Sequence, residues 1–143
     1  MGKYYFYFQL ALIVLMFYFG SFAKIISNGF LALPFALSAL LGLWSFYNLG
    51  SDIYSPFPEP RKNHKIIQKG PYKYIRHPMY TSVILIGLFL FISEPSFTGF
   101  IVLMLLMYVT DEKAKLEEEL LAKLHIEYKD YQKTTKKFIP LVY

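Results

Sequence analysis

The sequence predicts an all-α integral membrane bundle of about four transmembrane helices with a cytoplasmic C-terminal helix. Of the 143 residues, 55% are hydrophobic and only 17% are charged, whereas soluble domains carry about 25% charged residues. The apolar residues form long uncharged runs, and the charges cluster between and after them. These observations exclude a disordered chain and an ordinary water-soluble enzyme. Because the chain has no cysteine, thiol nucleophiles and cysteine-ligated metal sites are excluded, and no metal is expected.

The first two helices are predicted over residues 4–23 and 29–49, both uncharged. About 20 apolar residues are needed to cross the roughly 30 Å hydrocarbon core of a bilayer. The short turn 24–28 joins the two runs. A cleaved signal peptide is the alternative for the first run, because Lys3 precedes it. The second run follows after only five residues, so a membrane hairpin is the better interpretation.

The third and fourth helices are predicted over 79–93 and 96–123, with uncharged stretches at 79–93 and 95–110. Fifteen helical residues span only about 22 Å, so these helices must extend into the headgroups or tilt and thin the bilayer. Pro95 separates them, and Ser93 is a candidate cap for the fourth. The whole chain, 1–143, is then one domain with a loop at 50–78 and a tail at 124–143.

The distribution of cations gives an orientation for four crossings. Fourteen of the fifteen lysines and arginines fall on one face, and only Lys24 lies on the other. The positive-inside rule assigns the cation-rich face to the cytoplasm, together with both termini and the 50–78 loop. The net charge of +5 is interpreted as contact with anionic lipid headgroups. Nucleic acid is not expected as a partner.

The apolar runs contain no Asp, Glu, Lys, Arg or His. Ionisable residues at membrane depth usually mark transport pathways, so their absence argues against a small transporter. The chemistry is therefore expected at the cytoplasmic interface, in two segments.

The first segment precedes the third helix. Pro78 suits a first helical turn, because its missing N–H would be unpaired there anyway. Arg76 and His77 then lie at a helix N-terminus, where free backbone N–H groups and the helix dipole favour a carboxylate or phosphate. The alternative is that Arg76 only contacts lipid phosphate and His77 caps the helix.

The second segment is the tail that continues the fourth helix out of the membrane. Pairs four residues apart, such as Asp111 with Lys115 and Lys113 with Glu117, predict a braced polar face. On that interpretation Glu117 and Glu118 lie on a solvated helix surface. Tyr128 and Tyr131 fall on one side of a short amphipathic segment, and the apolar end 138–142 is expected to fold back on the membrane surface.

The two segments together resemble the isoprenylcysteine carboxyl methyltransferase family and its relatives among phospholipid methyltransferases, over roughly residues 40–143. The stretch Ser55-Pro56-Phe57-Pro58-Glu59-Pro60 further resembles the short prokaryotic members of that family. Where arginine is common just before the paired glutamates, this chain has lysines. The positions that carry the resemblance are Gly70, Pro71, Tyr72, Arg76, His77, Pro78 and Tyr80, then Glu117, Glu118, Leu121, Tyr128, Tyr131, Phe138, Ile139 and Pro140.

The resemblance implies an integral membrane methyltransferase that uses S-adenosylmethionine. It implies a cofactor pocket built from the loop that ends in His77-Pro78 (the His-Pro loop), the last two membrane helices and the C-terminal helix. Arg76 and Glu117 become the candidate catalytic residues. Because neighbours on a helix diverge by about 100°, the glutamate that faces the pocket stays open. The implied cofactor contacts are Tyr72, His77, Pro78, Tyr80 and Glu118.

The expected acceptor is a lipid-like or prenylated small molecule that enters from the bilayer. For carboxyl O-methylation of an isoprenylcysteine-type substrate, Arg76, Lys113 or Lys115 would hold the carboxylate. For N-methylation of a phospholipid headgroup or other lipid amine, a glutamate or His77 would be the base. The alternative from another class is a non-catalytic membrane scaffold or small transporter.

Overall fold

The computed structural model describes residues 2–51, 53–60, 65–140 and 142–143. Within these residues the chain is helical and contains no β-strand. A 3₁₀ turn covers Gly70–Lys73. The predicted 50–78 loop includes residues 52 and 61–64, and the predicted apolar end includes residue 141; these six residues lie outside the described part of the chain. The α-helices are α1 Gly2–Phe19, α2 Phe22–Ser27, α3 Gly29–Leu49, α4 Pro78–Ser93, α5 Phe97–Leu124 and α6 Tyr128–Thr134.

The first helix ends at Phe19, four residues before the predicted end of the 4–23 run, and the expected turn is the short helix α2. The cause is a tertiary contact. A Cβ at Gly20 would lie 2.8 Å from the carbonyl oxygen of Leu90 in α4, so the chain can turn here only with glycine. Ser21 Oγ then accepts a hydrogen bond from the Lys24 N–H and caps α2.

The junction between α4 and α5 differs from the expectation in its cap. Ser96, rather than Ser93, caps α5, because its Oγ accepts a hydrogen bond from the Gly99 N–H at 3.0 Å. Ser93 is the last residue of α4, and its hydroxyl accepts from the Ser21 N–H at 2.9 Å. Ser93 therefore connects the α4 terminus to the α1–α2 turn.

The helices pack as two pairs, α1 against α5 and α3 against α4, around one apolar core. Ser82 Oγ donates to the Ser38 carbonyl at 2.6 Å, and a Cβ at Gly42 would lie 2.6 Å from that hydroxyl. The small residue at position 42 therefore lets α3 and α4 approach closely. The core side chains are Leu12, Met16, Ile25, Leu90, Val102, Leu103, Leu106 and Val109.

Two helices within the described part of the chain, α1 and α3, are long and apolar enough to cross a membrane. Only 22% of the α1 span and 11% of the α3 span are buried, so their apolar side chains face outward. The core helix of a soluble protein would bury most of these side chains. Phe30, for example, is 93% exposed and Tyr47 84% exposed. This outward apolar surface is typical of helices in contact with lipid.

Candidate active site

A cavity of about 220 Å³ lies where α1, α4, α5 and α6 meet the segments on either side of 61–64. The 3₁₀ turn positions Tyr72 at its wall, and the first turn of α4 positions Tyr80. Its wall is rich in aromatic rings: Phe6, Tyr54, Tyr72, Tyr80, Tyr128 and Tyr131. Its polar side chains include Gln9, Arg76, His77, Lys113 and Glu117.

The two neighbouring glutamates of α5 point in different directions. Glu117 lines the cavity, and its Oε2 accepts a hydrogen bond from the Tyr80 hydroxyl at 2.7 Å. His77 Nδ1 lies 3.8 Å from the same oxygen. Glu118 does not line the cavity, and its Oε1 instead lies 3.0 Å from His77 Nε2. Because neighbouring side chains on α5 point in different directions, Glu117 faces the cavity and Glu118 does not.

Glu118 is the centre of a polar cluster that joins three parts of the chain. Arg76 Nε donates to Glu118 Oε1 at 2.7 Å, and Gln132 Nε2 of α6 donates to Oε2 at 3.1 Å. Burial opposes ionisation of this carboxyl, but the hydrogen bonds and charges of His77 and Arg76 outweigh it and lower the pKa of Glu118 to about 2. Glu118 is therefore a carboxylate that orients the His-Pro loop and α6.

Arg76 lines the cavity, but several of its donors are already bound. Besides Glu118, its Nη1 donates to the carbonyl oxygens of Gln132 at 3.2 Å and Thr135 at 2.6 Å. The Arg76 side chain is only 12% exposed. In this structure Arg76 fastens the end of α6 to the His-Pro loop, and this role was not expected from the sequence.

His77 and Tyr80 stack at the cavity wall, with parallel rings 5.2 Å apart. His77 is 5% exposed, and its ring also contacts Phe138 at 6.0 Å. Pro78 is fully buried at the first residue of α4 and does not line the cavity. Of the predicted cofactor contacts, the structure thus brings Tyr72, His77 and Tyr80 to the cavity and leaves Pro78 and Glu118 outside its lining.

Lys113 is the cavity residue whose surroundings the sequence did not reveal. It is 3% exposed, and instead of pairing with Glu117 its Nζ donates to Gln9 Oε1 of α1 at 3.0 Å. The ammonium also lies over the rings of Phe6 at 5.4 Å and Tyr80 at 5.1 Å. Burial lowers the pKa of Lys113 to about 8, although Glu117 opposes this shift. The feature of the sequence that could have predicted this contact is Gln9 itself. It is an amide in an otherwise apolar run, and a buried polar group requires a hydrogen-bond partner.

Lys115 has a different environment from Lys113. It lies on the exposed face of α5, and its Nζ pairs with Asp111 at 2.8 Å and with Glu112 at 2.6 Å. The predicted pair of Asp111 with Lys115 therefore forms. The sequence left Lys113 and Lys115 as alternative partners for a substrate carboxylate. Of these two lysines, only Lys113 faces the cavity.

The C-terminal segment closes one side of the site. Tyr128 and Tyr131 are buried, and the Tyr131 hydroxyl donates to the Tyr72 carbonyl at 2.5 Å. Burial raises the pKa of Tyr72, Tyr128 and Tyr131, so these phenols stay protonated. Beyond α6 the chain runs beside the His-Pro loop, and the backbones of Lys136 and Ile75 form an isolated parallel β-bridge.

The apolar end of the chain packs on the protein at its first residue. Phe138 is buried against His77, and its carbonyl accepts from Thr81 Oγ1 at 2.9 Å. Ile139 and Val142 are exposed, and the contact of this segment with a membrane surface stays a prediction. Lys137, next to Phe138, pairs with Asp111 of α5 and fixes the segment.

Within the described residues, no group of three or more His, Asp or Glu side chains is placed to hold a metal ion. The wall combines aromatic rings, the Glu117 carboxylate, and the cationic side chains of Lys65, Arg76 and Lys113. Such a wall suits an organic ligand that carries separated charges.

Comparison with protein-family models matches residues 30–123 to the isoprenylcysteine carboxyl methyltransferase family. Comparisons with curated proteins and with solved structures found no match. The matched segment contains the His-Pro loop, α4 and nearly all of α3 and α5, and therefore Arg76, His77, Lys113 and Glu117. It covers about two-thirds of the chain. The protein belongs to the isoprenylcysteine carboxyl methyltransferase family, which is a family of methyltransferases.

Proposed function

We propose that the protein is a multi-pass membrane enzyme that transfers a methyl group from S-adenosylmethionine to a lipid-like acceptor at the cytoplasmic interface. We propose carboxyl O-methylation of an isoprenylcysteine-type substrate as the specific reaction. The observation that carries the proposal is one cavity that holds Glu117 and Lys113 and adjoins an apolar cavity between the helices.

The apolar cavity supports a lipid-like acceptor. It has a volume of about 350 Å³ and is lined only by apolar residues of α1 to α5. Ile13 and Val83 belong to the walls of both cavities. An alkyl chain lying in the apolar cavity would place its polar head beside Lys113 and Glu117. A water-soluble acceptor has no alkyl chain to fill this second, apolar cavity.

The topology that we propose has four crossings, formed by α1, α3, α4 and α5. The 16 residues of α4 and the uncharged first half of α5 are short for a roughly 30 Å core, so we expect local thinning or tilt. The termini, the 50–78 loop and α6 then lie in the cytoplasm, on the side of the cation-rich segments. This arrangement places the site at the cytoplasmic ends of the helices, where a soluble cofactor can enter.

The residues of the cavity fit S-adenosylmethionine by their chemistry. Aromatic faces attract organic cations, and the Glu117 carboxylate supplies a negative charge near them. When bound, the cofactor supplies a methyl group on a sulfonium, which an acceptor displaces in line. Glu117 is held for its role by the Tyr80 hydroxyl, and Tyr80 is held by stacking on His77. Glu118 acts indirectly, because it fixes the position of His77.

The contacts of the cations favour a carboxylate acceptor held by Lys113. Arg76 and Lys115 are engaged with carboxylates, whereas the ion pairs among the described residues do not include Lys113. A buried ammonium without a counter-ion favours binding of an anion. A carboxylate is already ionised and releases no proton when it is methylated, so the protein needs only to align it and exclude water. Alignment alone contributes about 7–11 kcal/mol in the best cases.

The second candidate is N-methylation of a lipid amine. An amine must lose a proton before or during transfer, and this requires a base within hydrogen-bond reach. Glu117 supports this alternative, because it is a carboxylate on the cavity wall. The Lys113 ammonium favours the carboxylate instead, because the reacting nitrogen of an amine carries no negative charge to pair with it.

The experiment that tests the function measures S-adenosylmethionine binding by calorimetry in nanodiscs. We expect micromolar binding by the wild type and its loss in His77→Ala and Glu117→Ala. Glu119→Ala is the matched control, because Glu119 is exposed on the same helix. Absence of binding by folded wild type, with and without added lipid, would contradict the proposal and favour a membrane scaffold or small transporter.

Transfer of a tritiated methyl group into lipid extracts then identifies the acceptor chemistry. A methyl ester releases volatile methanol in alkali, whereas a methylated amine keeps its label. Label that alkali releases supports the carboxylate reaction. Label that survives alkali contradicts it and supports N-methylation.

A further inference from the structure

Gln9 is a buried amide in the middle of α1, outside the segment that matches the family. It is 5% exposed and lies in a helix whose other interior residues are apolar. The family match begins at residue 30, so Gln9 lies outside the matched segment. Its contacts lead directly to the cavity.

The two ends of the Gln9 amide have fixed partners in α5. Nε2 donates to Thr110 Oγ1 at 3.0 Å, and Oε1 accepts from Lys113 Nζ at 3.0 Å. Because an ammonium group only donates, the atom that faces Lys113 must be the carbonyl oxygen. Thr110 then anchors the other end of the amide, so Gln9 presents a partial negative charge to Lys113 in one orientation.

The remaining groups around Lys113 cannot replace this contact. Phe6 and Tyr80 meet the ammonium through their ring faces. Glu117 is one turn further along α5 and accepts from Tyr80, and its attraction is felt at Lys113 without an ion pair. The other titratable groups on the cavity wall are Tyr54, Lys65, Tyr72, Arg76, His77, Tyr128 and Tyr131. Gln9 is thus the neutral hydrogen-bond partner that keeps Lys113 charged yet unpaired.

We propose that Gln9 is a positioning residue that holds the Lys113 ammonium at the cavity and thereby makes the site selective for an anionic acceptor headgroup. A neutral partner is what such a site requires. A carboxylate at position 9 would neutralise the ammonium, and an apolar residue would leave it without a hydrogen bond. The selectivity step rests on the proposed function, whereas the linkage of Gln9 to Lys113 can be measured without catalysis.

The first measurement is the titration midpoint of Lys113. It is monitored by ¹³Cε NMR of lysine-labelled protein in nanodiscs, and the Lys113 signal is assigned by its loss in Lys113→Arg. Gln9→Met removes the acceptor oxygen at similar volume and should lower the midpoint by about one to two pH units. Gln9→Glu adds a negative charge and should raise it. Thr110→Ser keeps the hydroxyl anchor and is the matched control. An unchanged midpoint in both Gln9 variants would overturn the inference.

The second measurement tests the preference for an anion with two simple amphiphiles, dodecanoate and dodecanol. Dodecanoate should raise the Lys113 midpoint in the wild type, and dodecanol should leave it unchanged. In Gln9→Glu the added carboxylate already pairs with the Lys113 ammonium, so dodecanoate should change the Lys113 midpoint little further. A wild-type midpoint that does not respond to dodecanoate would overturn the claimed selectivity, whether or not the protein transfers methyl groups.

The third measurement separates this inference from the proposed function. If the wild type methylates an acceptor, Gln9→Met should raise the KM for that acceptor about tenfold or more and should change the KM for S-adenosylmethionine less. An unchanged acceptor KM would contradict the positioning role. If the wild type binds no S-adenosylmethionine while the midpoints respond as expected, the proposed reaction fails and the anion site stands.

Discussion

Glu118→Gln should destabilise the protein strongly although the change replaces one oxygen by an NH₂ group. Glu118 has a pKa of about 2 in the folded protein, against the ordinary value of 4.5. A shift of this size corresponds to about 3 kcal/mol of folded-state stability at neutral pH. The side chain is only 14% exposed, so solvent screening removes little of it. Losing one partner of a buried pair typically costs about 3–5 kcal/mol, which agrees in size.

The measurement is thermal unfolding in detergent, monitored by intrinsic fluorescence across a pH series. About 3 kcal/mol corresponds to a decrease in Tm of roughly 10 °C for a chain of this length. Because the folded-state pKa is depressed, the stabilisation is fully present above pH 4.5 and is lost as the pH falls towards 2. The difference in Tm between wild type and variant should therefore be constant from pH 5 to 8 and should shrink below pH 4.5.

Glu117→Gln is the matched control, one residue away and with the same chemical change. Glu117 accepts one hydrogen bond, from Tyr80, and faces the cavity. Its replacement should lower Tm by only a few degrees and should abolish cofactor binding. Equal losses of stability in the two variants, or a Glu118 effect that persists unchanged at pH 3, would refute the assignment of the two carboxylates.

Three further changes test the packing of the helices and the proposed orientation in the membrane. Tyr131→Phe removes the hydrogen bond to the Tyr72 carbonyl and should cost about 1–2 kcal/mol, visible as a lower Tm. Gly42→Ala forces a methyl group against the Ser82 hydroxyl and should cost about 1–3 kcal/mol, with partial recovery when Ser82→Ala is added. Ser27→Cys, in a chain without cysteine, should react with an impermeant thiol reagent from outside the cell; labelling only after lysis would contradict the proposed orientation.

The sequence predicted the elements whose causes are local. Uncharged length and the position of Pro78 predicted helices near α3, α4 and α5, because these features act within a few residues. The break after Phe19 was missed, since it depends on the approach of Gly20 to Leu90 from another helix. The cap of α5 was assigned three residues too early, because Ser93 and Ser96 are both plausible caps and only tertiary contacts distinguish them.

For the site, the resemblance brought together residues that the structure also brings together, but their separate roles depended on helix phase. Glu117 and Glu118 are indistinguishable by sequence spacing, and they diverge because one side of α5 faces the cavity and the next faces Arg76. The contact between Gln9 and Lys113 joins residues 104 positions apart. Local pairing rules predicted an ion pair of Lys113 with Glu117 instead, because they consider only one helix.

The residues of the proposed site lie on both sides of the start of the family match. His77, Tyr80 and Glu117, which carry the proposed methyl-transfer chemistry, lie inside residues 30–123. The wall around Lys113 is completed by Phe6 and Gln9 of α1, which lie outside the matched segment. Because the Lys113 ammonium lies inside the matched segment and its hydrogen-bond partner Gln9 lies outside it, we expect changes in α1 to alter acceptor binding through Lys113. The proposed selectivity is therefore best tested by varying α1 while the residues of the matched segment are kept intact.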